Sequence, residues 1–355
     1  MQAGWSAVAI TVVALTGAVL AQQQPAPGTA TVLPSVPARE PAWAFPVQAG
    51  TLPPEPPGPK SVEGSTKQYT PPQIDDLLNP PDWFPEAHRP APGIVQKGHG
   101  GALACGACHL MSGFGHPESA DLTGFTADYF VQQMNDFKAG TRKDYARMNG
   151  IAKELSDEEI RQAAEWFASL PRGKFVRVVE AAMVPKTFIG QGRMRFIDPN
   201  NAGMEPIGAR IIMLPEDQTK ARLRDPRSGF VSYVPPGSIA RGKALAETGG
   251  GGKTVACDIC HGGGMKGLGN IPRLAGVHPI YLARQLYLFK DGGRNGADAA
   301  LMKRPVAKLT DEDILNLSAP TWRRCRRNST QTEPKAGSPE PGVALILATS
   351  RSYGV

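Results

Sequence analysis

Cys105-Gly106-Ala107-Cys108-His109 and Cys257-Asp258-Ile259-Cys260-His261 are the two stretches that decide how this chain is read. In each, two thiols stand three positions apart and an imidazole follows the second directly. Such a pentapeptide suits covalent attachment of a haem, because the thiols can add across its two vinyl groups while the adjoining imidazole is held where it can ligate iron. A single copy would also suit a redox or zinc pair. The second copy carries more weight, because the sequence after each one repeats too.

A shift of 152 positions places Cys105 on Cys257, His109 on His261, Leu122 on Leu274, Gly124 on Gly276, Tyr129 on Tyr281, Gln133 on Gln285, Phe137 on Phe289 and Arg142 on Arg294. Two extra residues then enter the second copy. At a shift of 154, Met148 falls on Met302, Leu155 on Leu309, Asp157 on Asp311 and Ile160 on Ile314. One module is therefore written twice. Phe130, Met134 and Phe137 in the first copy, and Leu282, Leu286 and Phe289 in the second, recur at helical spacing and predict one helix each. Ser156 with Glu159 forms a capping box that opens a further helix through Ile160, Ala163, Ala164 and Phe167, and Thr310 with Asp313 opens its counterpart less ideally. Short helices are also expected around Ile94–Gly98 and Ser238–Leu245, ahead of each motif.

On these residues the chain resembles the class I cytochromes c, and more closely the diheme cytochromes built from two such domains in tandem. The resemblance is carried by both Cys-x-x-Cys-His motifs, by Leu274-Ala275-Gly276 with Tyr281-Leu282-Ala283-Arg284-Gln285, and by the capped helices after Met148 and Met302. It covers residues 92–171 and 237–320. It implies a mainly α fold, two covalently attached haem c groups, and in each domain three or more helices around one haem with His on one side of the iron and Met on the other. His109 and His261 are then the proximal ligands, with Met148 and Met302 distal.

The spacing agrees, since Met148 lies 39 residues after His109 and Met302 lies 41 after His261. Imidazole with thioether gives a six-coordinate iron, and the soft sulfur favours the ferrous state. Such a centre moves single electrons and offers substrate no iron site. Met111 and Met265 stand too near their histidines to reach the opposite haem face, and Met134 belongs to an apolar stripe and reads as core. His116 and His278 are rival distal ligands that do not align under the repeat. Tyr129, Tyr281, Gln133, Gln285, Arg142 and Arg294 do align. They can hydrogen-bond a haem propionate or steady the methionine loop, or equally serve as packing and as solvated charge. Pro272 matches the family position whose carbonyl receives the proximal imidazole N–H, and Ala120 stands there in the first copy, which leaves the chain path beside His109 open.

The remaining chain divides as follows. Residues 1–21 read as a secretory signal: an apolar run from Trp5 ends in Val19-Leu20-Ala21, without the usual basic start, so the true start is expected upstream. Export to the periplasm follows, with an uncleaved membrane anchor as the lesser reading. Between Gln22 and Pro90 lie 17 of the 34 prolines, which predicts a flexible or extended tether as an N-terminal extension over residues 22–91, with Trp83 and Phe84 able to pin its end onto a haem domain. Domains are expected at 92–172 and 237–319, joined by an irregular linker over 173–236 whose β-branched runs Phe175–Val179 and Ala209–Leu214 suggest short strands, such as one hairpin.

Residues 320–355 are expected to be the product of a sequence error or frameshift, because a shifted frame after Ala319 restores the end of the missing helix. That tail holds six basic and two acidic residues and so supplies +4 of the formal +7. The basic balance therefore does not point to nucleic acid. Four of the five cysteines sit in the motifs, leaving Cys325 and no disulfide framework.

The expected function is single-electron transfer between a dehydrogenase or quinol-oxidising complex and a downstream cytochrome or oxidase. Two alternatives are a diheme cytochrome c peroxidase-like enzyme, which needs one haem with an accessible distal side, and the cytochrome subunit of a periplasmic dehydrogenase complex.

Overall fold

The computed structural model describes residues 38–320, except 145 and 174. The signal segment, residues 22–37 of the extension and all of the tail beyond Pro320 lie outside the described residues. Each copy of the repeat folds into the same succession of helices. The first has Gly93–Gln96, Cys105–His109, Ala127–Ala139, Met148–Glu154 and Asp157–Ser169; the second has Ser238–Thr248, Asp258–His261, Pro279–Lys290, Ala300–Val306 and Asp311–Ser318.

Local chemistry sets the ends of these helices. The Thr126 hydroxyl accepts from Tyr129 N at 3.1 Å and starts the first long helix, which stops at Gly140 in the left-handed conformation (φ 75°). Ser156 and Glu159 form the expected reciprocal cap, and Thr310 with Asp313 closes an equally complete one despite the shorter acid. In the second module, Gly242 lets the first helix cross the last. A Cβ there would stand 1.7 Å from the Asn316 carbonyl oxygen, so any larger residue would force the two helices apart.

The first module buries Ile94, Val95, Met134, Phe137, Ile160, Ala163, Trp166 and Phe167 as one core. The second buries Ile280, Ala283, Leu288, Val306, Leu309, Ile314 and Leu317, but this core also takes in Trp43, Phe45, Phe175, Ile211, Met213, Phe230 and Val234 from outside the repeat. The expectation of a free tether is therefore corrected for residues 38–91. They are mostly irregular, with helical turns at Pro71–Ile74 and Pro85–Ala87, yet Trp43 and Phe45 dock on the second module, while Val62, Ile74, Trp83 and Phe84 close a small core with Leu223. Trp83 Nε1 donates to the Leu223 carbonyl at 2.8 Å. Six apolar side chains spaced along a polar segment are enough to fasten it.

The segment between the modules also differs from a single hairpin. Strand Val176–Glu180 runs parallel to Phe230–Val234, which pairs antiparallel with Ile212–Pro215. Two further ladders join Met183–Pro185 to Met204–Pro206 and Thr187–Ile189 to Arg195–Ile197. The two expected apolar runs do form strands, but both pair with Phe230–Val234, the central strand of their sheet.

Candidate functional site

The long helices of the first module wall a cavity of about 650 Å³, within the range of ligand and cofactor sites. Cys105, Cys108 and His109 line it, as does Met148, and Leu122, Phe130, Ile151, Leu155, Ile160 and Ala163 make its apolar wall. The amphipathic stripes read from the sequence thus face inward, and the motif residues sit among them.

Both motif histidines are held alike. His109 Nδ1 lies 2.8 Å from the Ala120 carbonyl oxygen, and His261 Nδ1 lies 2.7 Å from that of Pro272. A carbonyl can only accept, so each imidazole donates from Nδ1 and leaves the Nε2 lone pair for a metal. Burial pushes both histidines below their ordinary pKa and keeps them neutral, against the pull of these carbonyls. The replacement of Pro272 by Ala120 changes nothing, because only the backbone oxygen takes part.

Two of the four motif thiols are ill suited to thiolate chemistry. Burial pushes Cys105 up to about 12 and Cys257 up to about 11, so both stay protonated. A redox or zinc cysteine needs the opposite shift. Among the described residues, no group of three or more His, Cys, Asp and Glu is placed to hold a bare metal ion.

Met148 begins its helix half-buried, and its loop is pinned. The Asp144 carboxylate accepts from Arg147 N at 2.6 Å and Met148 N at 2.8 Å, while the Asn149 amide donates to the carbonyls of Phe137 and Arg142 at 2.7 and 2.8 Å. Met302 packs against the second core. Met111, Met134 and Met265 are buried core, as their positions suggested. Of the rival histidines, His116 lines the cavity with Nε2 3.0 Å from the Ser119 hydroxyl oxygen. His278 packs instead against Phe175 and Phe230 and donates from Nε2 to the Phe114 carbonyl at 3.0 Å.

His278 carries a testable pH dependence. Burial holds its pKa below the ordinary 6.5, only partly offset by the Phe114 carbonyl, and its Nδ1 has no partner. The unfolded chain takes up this proton below pH 6.5 and the folded one does not. Its contribution is therefore complete above pH 6.5 and lost as pH falls below it, by about 1.4 kcal/mol per pH unit. Urea unfolding at several pH values should show this slope reduced in His278→Gln relative to the parent.

The six repeated polar residues meet across the two modules. Arg142 donates to Gln133 Oε1 at 2.8 Å in its own module and to Tyr281 Oη at 2.8 Å and Gln285 Oε1 at 3.1 Å in the other. Arg294 mirrors it, donating to Gln285 Oε1 at 3.1 Å, Tyr129 Oη at 2.7 Å and Gln133 Oε1 at 2.8 Å. Each guanidinium also lies over a phenylalanine, Phe137 at 4.4 Å and Phe289 at 4.5 Å. Sequence reasoning found these residues but not that they bind each other. Two ion pairs that it missed, Asp121 with Arg273 at 2.6 Å and Glu118 with Arg284 at 2.5 Å, also cross this interface. The first had a signal, since Asp121 and Arg273 are equivalent under the repeat and opposite in charge.

Whether a haem suits these residues is decided by this cluster together with the cavity. Arg142 and Arg294 are buried cations whose hydrogen-bond partners are neutral, and Arg142 Nε has none. Burying two like charges together is costly without an anion nearby. Arg142 also lines the cavity, so the acid groups of a haem would supply that anion where it is needed. Apolar walls, paired thiols, an oriented imidazole and cations at one side fit the group.

No protein-family model matches the chain. It is similar to the cytochrome c4 of Pseudomonas aeruginosa, 27% identical over 233 residues that take in 64% of this chain and 88% of that protein. It is similar to a thiosulfate dehydrogenase electron acceptor of Thiomonas intermedia, 28% identical over 215 residues, 59% of this chain and 73% of the other. One stretch of 68 residues, 19% of this chain, is 40% identical to cytochrome c-554(548) of Halomonas halodenitrificans and covers 82% of it.

Proposed function

The chain belongs to the diheme class I cytochromes c and carries two covalently attached haem c groups, and we propose that it passes single electrons between a dehydrogenase and a downstream redox protein outside the cytoplasm. The observation that carries this reading is the matched pair of histidines, each donating from Nδ1 to a carbonyl eleven residues on. Residues 92–172 and 237–319 form the two haem domains in tandem. Cys105 and Cys108 would hold one group and Cys257 and Cys260 the other, with His109 and Met148, and His261 and Met302, as the iron ligands that leave substrate no open site.

Each haem supplies a one-electron iron couple when bound. The chain's residues keep that couple simple. The imidazoles present Nε2 in a fixed tautomer, and the pinned Asp144–Asn149 loop holds the thioether of Met148. The apolar wall excludes water, which favours the less charged ferrous state. Arg142, which lines the cavity, would balance an acid group of a bound haem, and with Arg294 it makes a polar bridge between the modules.

A dehydrogenase as donor is supported by the thiosulfate dehydrogenase electron acceptor among the relatives, and export by the apolar segment at residues 1–21. No helix among the described residues is long and apolar enough to cross a membrane. A reductive titration should take up two electrons per chain, and a separate assay should find no peroxide turnover. Uptake of only one electron per chain, or peroxidase activity with a high-spin haem, would overturn the carrier reading.

A further inference from the structure

Four residues other than glycine hold the left-handed conformation among the described residues: Leu110, Arg193, Arg224 and Met265, with φ of 59°, 62°, 57° and 58°. Two of them belong to the fold of the repeat. The counterparts of Leu110 and Met265 are Gly262 and Gly113, which turn the same way at φ 74° each, so both modules need that turn. Arg193 and Arg224 have no counterparts, because they lie in the segment between the modules. A left-handed arginine is disfavoured against glycine, and such residues persist where the surroundings impose them, often at functional sites. Both arginines line the cavity of the first module.

Each arginine takes a place where glycine is the usual choice. Thr187–Ile189 and Arg195–Ile197 form a hairpin whose tip, Gln191 to Met194, lines the cavity, and Arg193 follows the left-handed Gly192 in its turn. The extension fastens this hairpin: Ala49 N and Gly50 N both donate to the Ile189 carbonyl at 3.0 Å, and Leu52 N donates to Gln191 Oε1 at 3.2 Å. A Cβ on Gly192 would stand 3.8 Å from His116 Cε1, which sets the tip against the loop after the first motif. Arg224 ends the short helix Gln218–Arg222 where a glycine cap is common, and it donates to the carbonyl of Ala107, between Cys105 and Cys108. Of the carboxylates lining the cavity, Glu55 pairs with Arg222 at 2.6 Å, Glu118 with Arg284 at 2.5 Å, and Asp144 and Asp225 accept from backbone N–H groups. Asp75 is left to offset Arg224, and the Arg193 guanidinium makes no hydrogen bond or ion pair among the described residues.

We propose that Arg193 and Arg224 tune the first haem alone: the segment between the modules, which the repeat does not contain, brings two cations to that cavity and raises the potential of the group bound there. This rests on the electron-transfer reading and adds to it how two matched modules come to differ. A cation beside the porphyrin disfavours the more positive ferric state, and in an apolar cavity little water screens it. His116, beside the hairpin tip, supplies no such charge, since burial, and then the neighbouring His278 and Arg224, hold its pKa well below the ordinary 6.5.

Reductive titration of the haem-loaded full chain, followed by the haem-methyl proton signals, tests this. The signals of the first haem are assigned by their Overhauser contacts with Phe130 and Ile151, which line its cavity. At a fixed ambient potential, Arg193→Gln with Arg224→Gln should lower the ferrous-to-ferric ratio of the first haem about fivefold or more, and leave that of the second within about twofold of the parent. Arg193→Lys with Arg224→Lys keeps the charge and should recover most of the ratio, which a role in packing alone would not. Arg177→Gln, at an exposed strand position of the same segment, should match the parent. A smaller fall at the first haem, an equal fall at both, or a lysine variant no better than the glutamine one would overturn the proposal. Two covalent haems and uptake of two electrons in every variant keep such a result apart from failure of the electron-transfer reading.

Discussion

Arg142→Ala is expected to destabilise the protein by about 3 kcal/mol, through a buried hydroxyl left without its donor and a cavity at the centre of the module interface. Arg294 still reaches Gln133 and Gln285, but Tyr281 Oη loses the guanidinium that donates to it. A double-mutant cycle with Tyr281→Phe should return a coupling of about 1 to 3 kcal/mol, as for residues in one network. The same variant should lower the midpoint potential of the first module's haem, since removing a buried positive charge favours the ferric state. Arg142→Lys separates the two effects. It keeps the charge and should restore most of the potential, but lacks the planar fork that serves three acceptors and should stay destabilised. Denaturant unfolding and potentiometry on the same samples read both quantities.

Met148→Ala and Met302→Ala should each remove the sulfur-to-iron charge-transfer band of one haem only, halving its intensity, and lower that haem's potential. Each opened iron should then bind carbon monoxide at about one equivalent per chain. If the band is unchanged in both variants, a different thioether ligates iron and the assignment is wrong; a parent chain without the band would make His116, which lines the same cavity, the ligand to test for the first haem.

The haem modules were legible because their chemistry is local and repeated. Cys-x-x-Cys-His is contiguous, the capping boxes at Ser156 and Thr310 lie within four residues, and the stripe through Phe130, Met134 and Phe137 follows helical spacing. What joins the modules was not. Arg142 and Tyr281 are 139 residues apart, and the repeat shows only that each has a counterpart, not that a residue of one copy bonds the other copy's partner. Proline content concealed the packed extension for a related reason. Composition averages over a segment: Trp83 and Phe84 stood out as anchors, though they close a core with Leu223 rather than with a haem domain, whereas Trp43 and Phe45 did not stand out. The sheet between the modules was half visible: its outer strands were expected, whereas the central strand, Phe230–Val234, carried a signal that went unread, a β-branched and aromatic run between Gly229 and Pro235.

Haem content of the purified chain, by mass spectrometry and the pyridine haemochrome, measured beside carbon monoxide titration of the reduced form, addresses the central claim most directly. The account predicts a mass increase of two haems resistant to acid extraction and no carbon monoxide binding at either iron. A chain carrying fewer than two covalent haems, or one that binds carbon monoxide readily without any substitution, would contradict it.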